Sequence, residues 1–372
     1  MRIGISLLCA LSQRTGVENT VFNLITQLSK IESDDQYVIY ADTRSQPWLS
    51  AVSGRISVVD VKLSSRLAPW IWEHLFFLTS RRAKNVDLVH FPIGGGVVGY
   101  CGKFVLTIHD LIQYSHRDLV KLRRHLLWRK WYRGNITKAA KIISVTECVK
   151  TDILREFPVR SDSIRVIHNG VDRRFTPSPG TAVFREKYNL PKRYILFVGG
   201  TGQNKNIRRA IEAIRLIHDK WNLDHQFIVA GLPGADDDAL RSYVSSSRLC
   251  GIVRFLGYVN DNDLPQLYAN AALFLFPSLV EGFGIPPLEA MRCGIPVVAA
   301  ETSCMPEVLG DAAIWVNPLS VQSIADGVAT ALLDETVRNE TIAKGLLRAE
   351  QFSWEKMALE TVDVYREVAG CA

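Results

Sequence analysis

Leu273-Phe274-Leu275-Phe276 runs directly into Pro277-Ser278-Leu279-Val280-Glu281-Gly282-Phe283-Gly284-Ile285-Pro286-Pro287-Leu288-Glu289-Ala290-Met291. Four consecutive apolar residues read as a strand buried on both faces, as in a parallel sheet covered by helices. A glycine-rich turn then leaves the carboxyl end of that strand and enters a helix. Proline at the first helical position marks the entry, and Glu289 is expected in the first turn. The free N–H groups and positive dipole end of such a helix form an anion site. Gly282 and Gly284 let the backbone approach a phosphate, because no Cβ intervenes. Ligands of such sheets bind outside the strand carboxyl ends.

The same rhythm extends both ways. Tyr194–Val198, Gln226–Ala230, Val253–Leu256, Pro296–Ala299 and Ile314–Val316 read as further strands separated by helices. Upstream, Ile3–Cys9, Tyr37–Tyr40, Ile56–Val61, Leu88–Phe91, Phe104–Ile108, Ile142–Val145 and Ile164–Ile167 repeat the pattern, with helices such as Glu18–Lys30 and Leu119–Lys138 between them. This is the βαβ alternation of doubly wound sheets. It breaks at Asn169–Lys192, where Asn169-Gly170, Pro177, Pro179, Gly180 and Pro191 cluster. The expected organisation is therefore α/β: two Rossmann-like domains, 1–170 and 193–352, joined by a linker over 171–192. An amphipathic helix over 353–372, capped by Ser353, packs back toward the first domain.

A chain of 372 residues suits two cores better than one. With 47% hydrophobic and 22% charged residues it is an ordinary globular chain, not a disordered one. No window of about 18 residues is uninterruptedly apolar, which argues against a transmembrane helix. The opening Met1–Leu11 lacks a small-residue cleavage site, so it reads as a buried strand rather than a signal peptide. Seven scattered cysteines with no C-x-x-C pair suggest reduced thiols and no zinc site. Charge is uneven. Residues 1–186 hold 27 Lys and Arg against 16 Asp and Glu, a balance of +11; residues 187–372 hold 17 against 22, or −5. A basic half asks for an anionic partner.

Glu281 and Glu289 flank the glycine turn with seven residues between them. Carboxylates accept hydrogen bonds from vicinal hydroxyls, so one suits a sugar and the other a ribose. On generic grounds the competing explanation is equally good: Glu289 complements the helix dipole and Glu281 is solvated. The surrounding motif decides. Glu281-Gly282-Phe283-Gly284 with Pro286, Leu288-Glu289-Ala290-Met291 and Gly294-Ile295-Pro296-Val297-Val298 closely resembles the signature of glycosyltransferase family 4, retaining enzymes of the GT-B fold. Asn169-Gly170-Val171-Asp172, Phe197-Val198-Gly199-Gly200 with Lys205-Asn206, Phe255-Leu256-Gly257-Tyr258-Val259 and Pro306-Glu307-Val308 extend the likeness over nearly the whole chain.

The resemblance implies roles. Glu289 would hold the donor's ribose, and Glu281 the hydroxyls of the transferred sugar. Gly282, Phe283 and Gly284 would contact sugar or diphosphate through their backbone, and Lys205 would neutralise the departing diphosphate. Family members often carry an arginine where this chain has Gly200, so one cation is missing there. In the first domain, His109 of Thr107-Ile108-His109-Asp110 would lie beside the donor sugar, with Asp110 supporting the imidazole. Thr15-Gly16-Val17-Glu18 resembles the family's Gly-Gly loop with Thr15 in place of the first glycine, leaving Gly16 to approach the diphosphate or acceptor. The resemblance implies no cofactor and no obligatory metal. Asp236-Asp237-Asp238 reads as surface acid rather than a metal clamp. Retention usually needs a nucleophilic carboxylate; none stands out, which favours front-side displacement aided by the leaving phosphate.

Similarity to bacterial mannosyltransferases of polysaccharide and O-antigen assembly implies GDP-mannose as donor and a saccharide carried on a polyprenyl diphosphate as acceptor. The active site would be the cleft between the domains. From Arg117 to Arg133 there are seven Lys and Arg, one acid, and Trp128, Trp131 and Tyr132; Pro69–Leu78 is aromatic and precedes Arg81-Arg82. This composition suits a cytoplasmic enzyme held peripherally on an anionic inner membrane face. No nucleic-acid module is recognisable. The alternatives are another donor sugar (glucose, N-acetylglucosamine or rhamnose on UDP or dTDP), a GT-B sugar-nucleotide 2-epimerase, and a non-catalytic nucleotide-sugar binding module.

Overall fold

The computed structural model describes residues 1–370 except 13, 14, 53, 64–67, 94, 116–132, 179, 180 and 235. Two compact units result, one made of Met1–Gly170 with Ser353–Ala372, the other of Val171–Phe352.

Unit 1 holds a seven-stranded parallel sheet in the order β3-β2-β1-β4-β5-β6-β7. Its strands are β1 Arg2–Ser6, β2 Gln36–Ala41, β3 Ile56–Asp60, β4 Leu88–Phe91, β5 Phe104–Ile108, β6 Lys141–Ser144 and β7 Ile164–Val166. β4 and β5 are buried along their whole length, which is why they read as unbroken apolar runs. The helix Trp354–Ala369 belongs to this unit. Trp354, Met357, Ala358, Thr361, Val362, Val364 and Tyr365 form its buried stripe at helical spacing. Ser353 caps it by accepting from Lys356 N at 3.1 Å. Each large apolar side chain buried in that stripe contributes about 1.5–3 kcal/mol.

Unit 2 holds a six-stranded parallel sheet in the order β10-β9-β8-β11-β12-β13. These are β8 Tyr194–Val198, β9 Gln226–Ala230, β10 Val253–Gly257, β11 Leu273–Phe276, β12 Val297–Ala300 and β13 Ile314–Val316. Strand order reverses between β8 and β11 here, and between β1 and β4 in unit 1. Such a reversal splays the connections apart and leaves a crevice at the strand carboxyl ends.

Three expectations need correction or completion. The stretch 171–192 is not featureless: it contains the helix Ala182–Lys187, capped by Thr181, which buries Phe184. Asp237 is not surface acid. It is buried, takes a 2.6 Å bond from Arg241 Nε, and accepts from Thr201 Oγ1 at 3.3 Å, so it ties helix Asp237–Ser246 to the loop after β8. Of the helix expected over Leu119–Lys138, residues 119–132 lie outside the described residues and 133–136 are helical.

Candidate active site

In unit 2 the loops after β8 and β11 meet at the strand reversal. The chain leaving β8 makes the turn Gln203–Lys205 and enters helix Ile207–Trp221. The chain leaving β11 forms the loop 277–284 and enters helix Ile285–Arg292. One backbone and one side-chain bond lock the two loops: Leu279 N donates to Asn204 O at 2.7 Å, and the Asn206 side-chain Nδ2 to Pro277 O at 3.0 Å. Across this junction Lys205 Nζ lies 2.6 Å from Glu281 Oε1. Their side chains are only 21% and 11% exposed, so the charges are weakly screened. Lys205 Nζ also stands 5.6 Å from the centre of the Phe276 ring. Ser303 fixes the other side of Glu281, accepting from its N at 3.2 Å and donating to its O at 2.6 Å. Ser303 does so at φ +57°, a left-handed conformation that a serine adopts at a cost of order 1 kcal/mol.

Helix Ile285–Arg292 starts differently from the sequence expectation. Ile285 is its first residue, the prolines occupy the second and third positions, and Glu289 is the fifth. Glu289 is therefore beyond the first turn and buried, so dipole complementation does not explain it. Tyr268 Oη donates to Glu289 Oε2 at 2.8 Å. Burial pushes the carboxyl up to about 7, against the opposing pull of the Tyr268 bond and of Arg174. The glycine turn divides in purpose. Gly284 sits at φ +83°, and a Cβ there would lie 2.4 Å from Met305 Cε, so the fold itself demands glycine. Phe283 is buried and meets Phe352 edge-on at 5.7 Å, so its side chain belongs to the core. Gly200 is open: a Cβ there would meet only Leu232 O, at 3.7 Å.

In unit 1, His109 follows the end of β5. Its Nε2–H donates to the carbonyl of Pro92, just past the end of β4, at 2.8 Å. Burial pushes its pKa down, opposed by that carbonyl and by the Asp110 and Glu18 carboxylates. The ring is neutral at physiological pH, and Nδ1 is its acceptor. Asp110 Oδ1 accepts from Ile112 N at 3.0 Å and so shapes the turn after His109. Gly16 opens helix Gly16–Leu28 behind the capping residue Thr15. Glu18 takes bonds from Leu11 N at 3.1 Å and Thr15 N at 3.3 Å. A Cβ on Gly16 would meet nothing within 4 Å, so the chain's own packing makes no demand for glycine there.

Residues 14–175 match the model of Glycosyltransferase Family 4, and residues 181–348 match that of Glycosyl transferases group 1. The O-antigen chain mannosyltransferase B of Escherichia coli is 34% identical over 265 residues, covering 70% of each chain. This chain is a member of that glycosyltransferase family. The serotype-specific mannosyltransferase WbdA of Escherichia coli is 30% identical over 270 residues, 69% of this chain, which spans 32% of that longer protein. Among solved structures, Anabaena Alr3699/HepE, determined in complex with UDP and glucose, superposes with TM-score 0.77 at 18% identity. That match covers 99% of this chain and 100% of the other. The two parallel Rossmann-like sheets are thus those of a GT-B glycosyltransferase.

In this glycosyltransferase Lys205 and Glu281 are brought together, with Glu289 buried on the helix that follows. His109 and Gly16 lie in the other unit, at the carboxyl ends of its strands. The sequence reading missed Ser303, Tyr268, Pro92 and Glu18. Glu18 alone had a local signal, since Thr15-x-x-Glu18 is a capping box; the other three act from elsewhere in the chain. The basic and aromatic stretch 117–132 lies outside the described residues. Among the described residues no helix is long and apolar enough to cross a membrane, and no group of three or more His, Cys, Asp or Glu side chains is placed to hold a metal ion.

Proposed function

We propose that this glycosyltransferase moves mannose from GDP-mannose, with retention, onto a lipid-linked saccharide in the assembly of a cell-surface polysaccharide. The 34% identity to an O-antigen chain mannosyltransferase is the observation that carries the reading. As the donor bond breaks, negative charge grows on the leaving phosphate and positive charge on the sugar ring. Lys205 and the positive dipole end of helix Ile285–Arg292, whose Pro286 and Pro287 carry no N–H, neutralise the phosphate without an obligatory metal. Glu281, already paired with Lys205, accepts from the hydroxyls of the transferred sugar beside that phosphate. Glu289 accepts from the ribose diol with the oxygen that Tyr268 leaves free. Gly282 and Gly16 give close backbone approach, Gly16 into space that the fold leaves open. His109 serves the sugar as a neutral acceptor, and Asp110 supports it. Attack proceeds from the face that the phosphate leaves, with that phosphate taking the acceptor's proton.

A panel of GDP-mannose, UDP-glucose, UDP-N-acetylglucosamine and dTDP-rhamnose, read by thermal shift and by donor hydrolysis with and without EDTA, tests the donor. GDP-mannose is expected to stabilise most and to be hydrolysed in EDTA. Preference for a UDP or dTDP donor overturns the assignment. The anomeric coupling of the product by NMR tests retention.

We assign the acceptor's location to an anionic membrane surface, on the inner face of the cytoplasmic membrane. Support comes from the basic first half and from helix Pro69–Thr79 in unit 1, whose Trp70, Leu75 and Leu78 remain 46%, 44% and 43% exposed. Each Lys or Arg near such a surface contributes about 1 kcal/mol, screened by salt. Reversing Arg123, Arg124, Arg129 and Lys130 to Glu is expected to abolish co-sedimentation with anionic vesicles while sparing donor hydrolysis. Wild-type binding that ignores salt, or that is absent, refutes membrane attachment.

A further inference from the structure

Behind His109 runs a chain of buried polar groups that the reaction does not use. Tyr365, on helix Trp354–Ala369, is fully buried, with its Oη 2.7 Å from His90 Nδ1. His90, on β4, is 1% exposed, and its Nε2 lies 2.8 Å from Thr107 Oγ1 on β5. The three residues are 275 and 17 positions apart, so only the folded unit assembles them.

The direction of each bond follows from donor and acceptor arithmetic. Burial pushes His90 down to about 3, so its imidazole is neutral, with one donor and one acceptor. Among the described residues neither the Tyr365 nor the Thr107 hydroxyl meets an acceptor other than a His90 nitrogen, so one of the two protons must go elsewhere; Thr107 lines a cavity and Tyr365 does not, so Thr107 is the one with room to turn its proton away. Tyr365 therefore donates to Nδ1, and the imidazole proton sits on Nε2. That proton goes to Thr107 Oγ1, which leaves the Thr107 hydroxyl proton without a protein acceptor among the described residues. Thr107 lies on the wall of a cavity of about 20 Å³ whose lining includes His90, Pro92, His109, Asn169 and Thr361. That volume is enough for one water, but the wall is mostly apolar, with Val21, Leu24, Ile143, Val145, Ile167 and Met357 around the Thr107 hydroxyl.

The chain also grips the backbone on which His109 depends. His90 is two residues before Pro92, whose carbonyl holds His109 Nε2; Thr107 is two residues before His109 itself. We propose that Tyr365 is a positioning residue for His109: by fixing the His90 tautomer it links the ends of β4 and β5 and turns the Thr107 hydroxyl toward the cavity behind His109. A residue near the far end of the chain thereby sets the orientation of the imidazole. The consequence for turnover rests on the reading that His109 serves the donor sugar; the hydrogen-bond chain does not.

Two measurements separate those layers. Long-range ¹H–¹⁵N NMR of the full chain reports each imidazole tautomer. His90 and His109 are both expected as Nε2–H, and Tyr365→Phe is expected to shift the His109 ring resonances. Turnover of Tyr365→Phe is expected to fall about three- to tenfold, with nucleoside diphosphate affinity unchanged, as for a lost hydrogen bond acting through a neighbour. Thr107→Val is expected to reproduce that loss, and Thr107→Ser, which keeps the hydroxyl, to restore wild-type turnover. That rescue excludes a merely structural role and keeps the test valid should Tyr365→Phe fold poorly. His90 found as the Nδ1–H tautomer overturns the proposal. So do a Thr107→Val protein at wild-type turnover when His109→Ala has lost it, and a Tyr365→Phe protein whose His109 resonances do not move. If the resonances move but neither these variants nor His109→Ala change turnover, the positioning stands and the role given to His109 falls.

Discussion

The groups assigned to the donor in unit 2 and the His109 region of unit 1 are built on the same kind of sheet but assembled in opposite ways. In unit 2, Lys205 lies just past β8, and Glu281 and Glu289 sit on the single loop and helix that leave β11. Two neighbouring strands deliver all three, and the loops are stitched by hydrogen bonds from Leu279 N and the Asn206 side chain. In unit 1, His109 is held by Pro92, and the strands beneath it are tied by His90 to Tyr365, 275 positions further on. One arrangement is local and cationic, built around an ion pair. The other is long-range and neutral, built from an imidazole kept uncharged by burial. Charge stabilisation can be assembled from a short motif, because a cation and a helix end act at a distance. Orienting a neutral ring requires bonds from several directions, which only the finished fold supplies.

The sharpest way to break this comparison is to remove one group from each side. Lys205→Ala takes away the cation proposed for the leaving phosphate and is expected to lower turnover about 100- to 1,000-fold. His109 and Glu281 are proposed to act on the sugar, so His109→Ala and Glu281→Gln are expected to lower turnover while leaving nucleoside diphosphate affinity within a few-fold. Single-turnover kinetics alongside calorimetry with GDP make the separation. A His109→Ala enzyme that loses GDP binding as strongly as turnover would mean that the two units do not divide the work in this way.

The same contrast governs what could be read from the sequence. Leu88–Phe91, Phe104–Ile108, Tyr194–Val198, Gln226–Ala230, Leu273–Phe276 and Ile314–Val316 appear with the expected bounds, because a strand covered on both faces must be apolar throughout. The first strand is shorter than the run Ile3–Cys9: it ends at Ser6, where the chain turns toward the capping box of Thr15 and Glu18. Glu281 and Glu289 were legible because their motif is contiguous, and Lys205 because it closes a second short motif that begins at Phe197. The depth of Glu289 was not, since it depends on Tyr268, 21 positions earlier, with no pattern joining them. Asp237 looked like surface acid in a run of three. Its burial is set by Thr201 and Arg241, and composition carries no trace of the first.

A smaller effect sharpens the unit 2 side. Glu289→Gln keeps the shape and removes the proposed charge-assisted bond to ribose, which would be worth about 1.5–3 kcal/mol, or roughly 10- to 150-fold in GDP affinity. Calorimetry reads it directly. Unchanged binding by a folded Glu289→Gln protein removes ribose from the role of this carboxyl.

The smallest effect is a pH dependence of nucleotide binding through Glu289. Burial raises the Glu289 carboxyl from 4.5 to about 7 in the ligand-free protein, with Asp261 and Asp172 adding to the rise and Tyr268 and Arg174 opposing it. Accepting both ribose hydroxyls requires the ionised form, which only accepts. Below about 7, binding must therefore expel a proton, and each pH unit costs about 1.4 kcal/mol, up to tenfold in affinity. GDP affinity is expected to be level above pH 7.5 and to fall as pH drops toward 6. The nucleotide's own phosphate also titrates, so the diagnostic quantity is the difference in slope between wild type and Glu289→Gln, whose side chain cannot titrate. The sign reverses for the stability of the free protein. A carboxyl whose folded pKa lies above its unfolded value binds the extra proton when folded. Its contribution is complete below 4.5 and is lost as pH rises through about 7. Buried Glu73 in unit 1, also raised to about 7, contributes the same slope, so Glu289→Gln is expected to flatten the decline only in part. Equal slopes for the two proteins in both measurements would show that Glu289 is already ionised at neutral pH and that the ribose meets a solvated carboxylate.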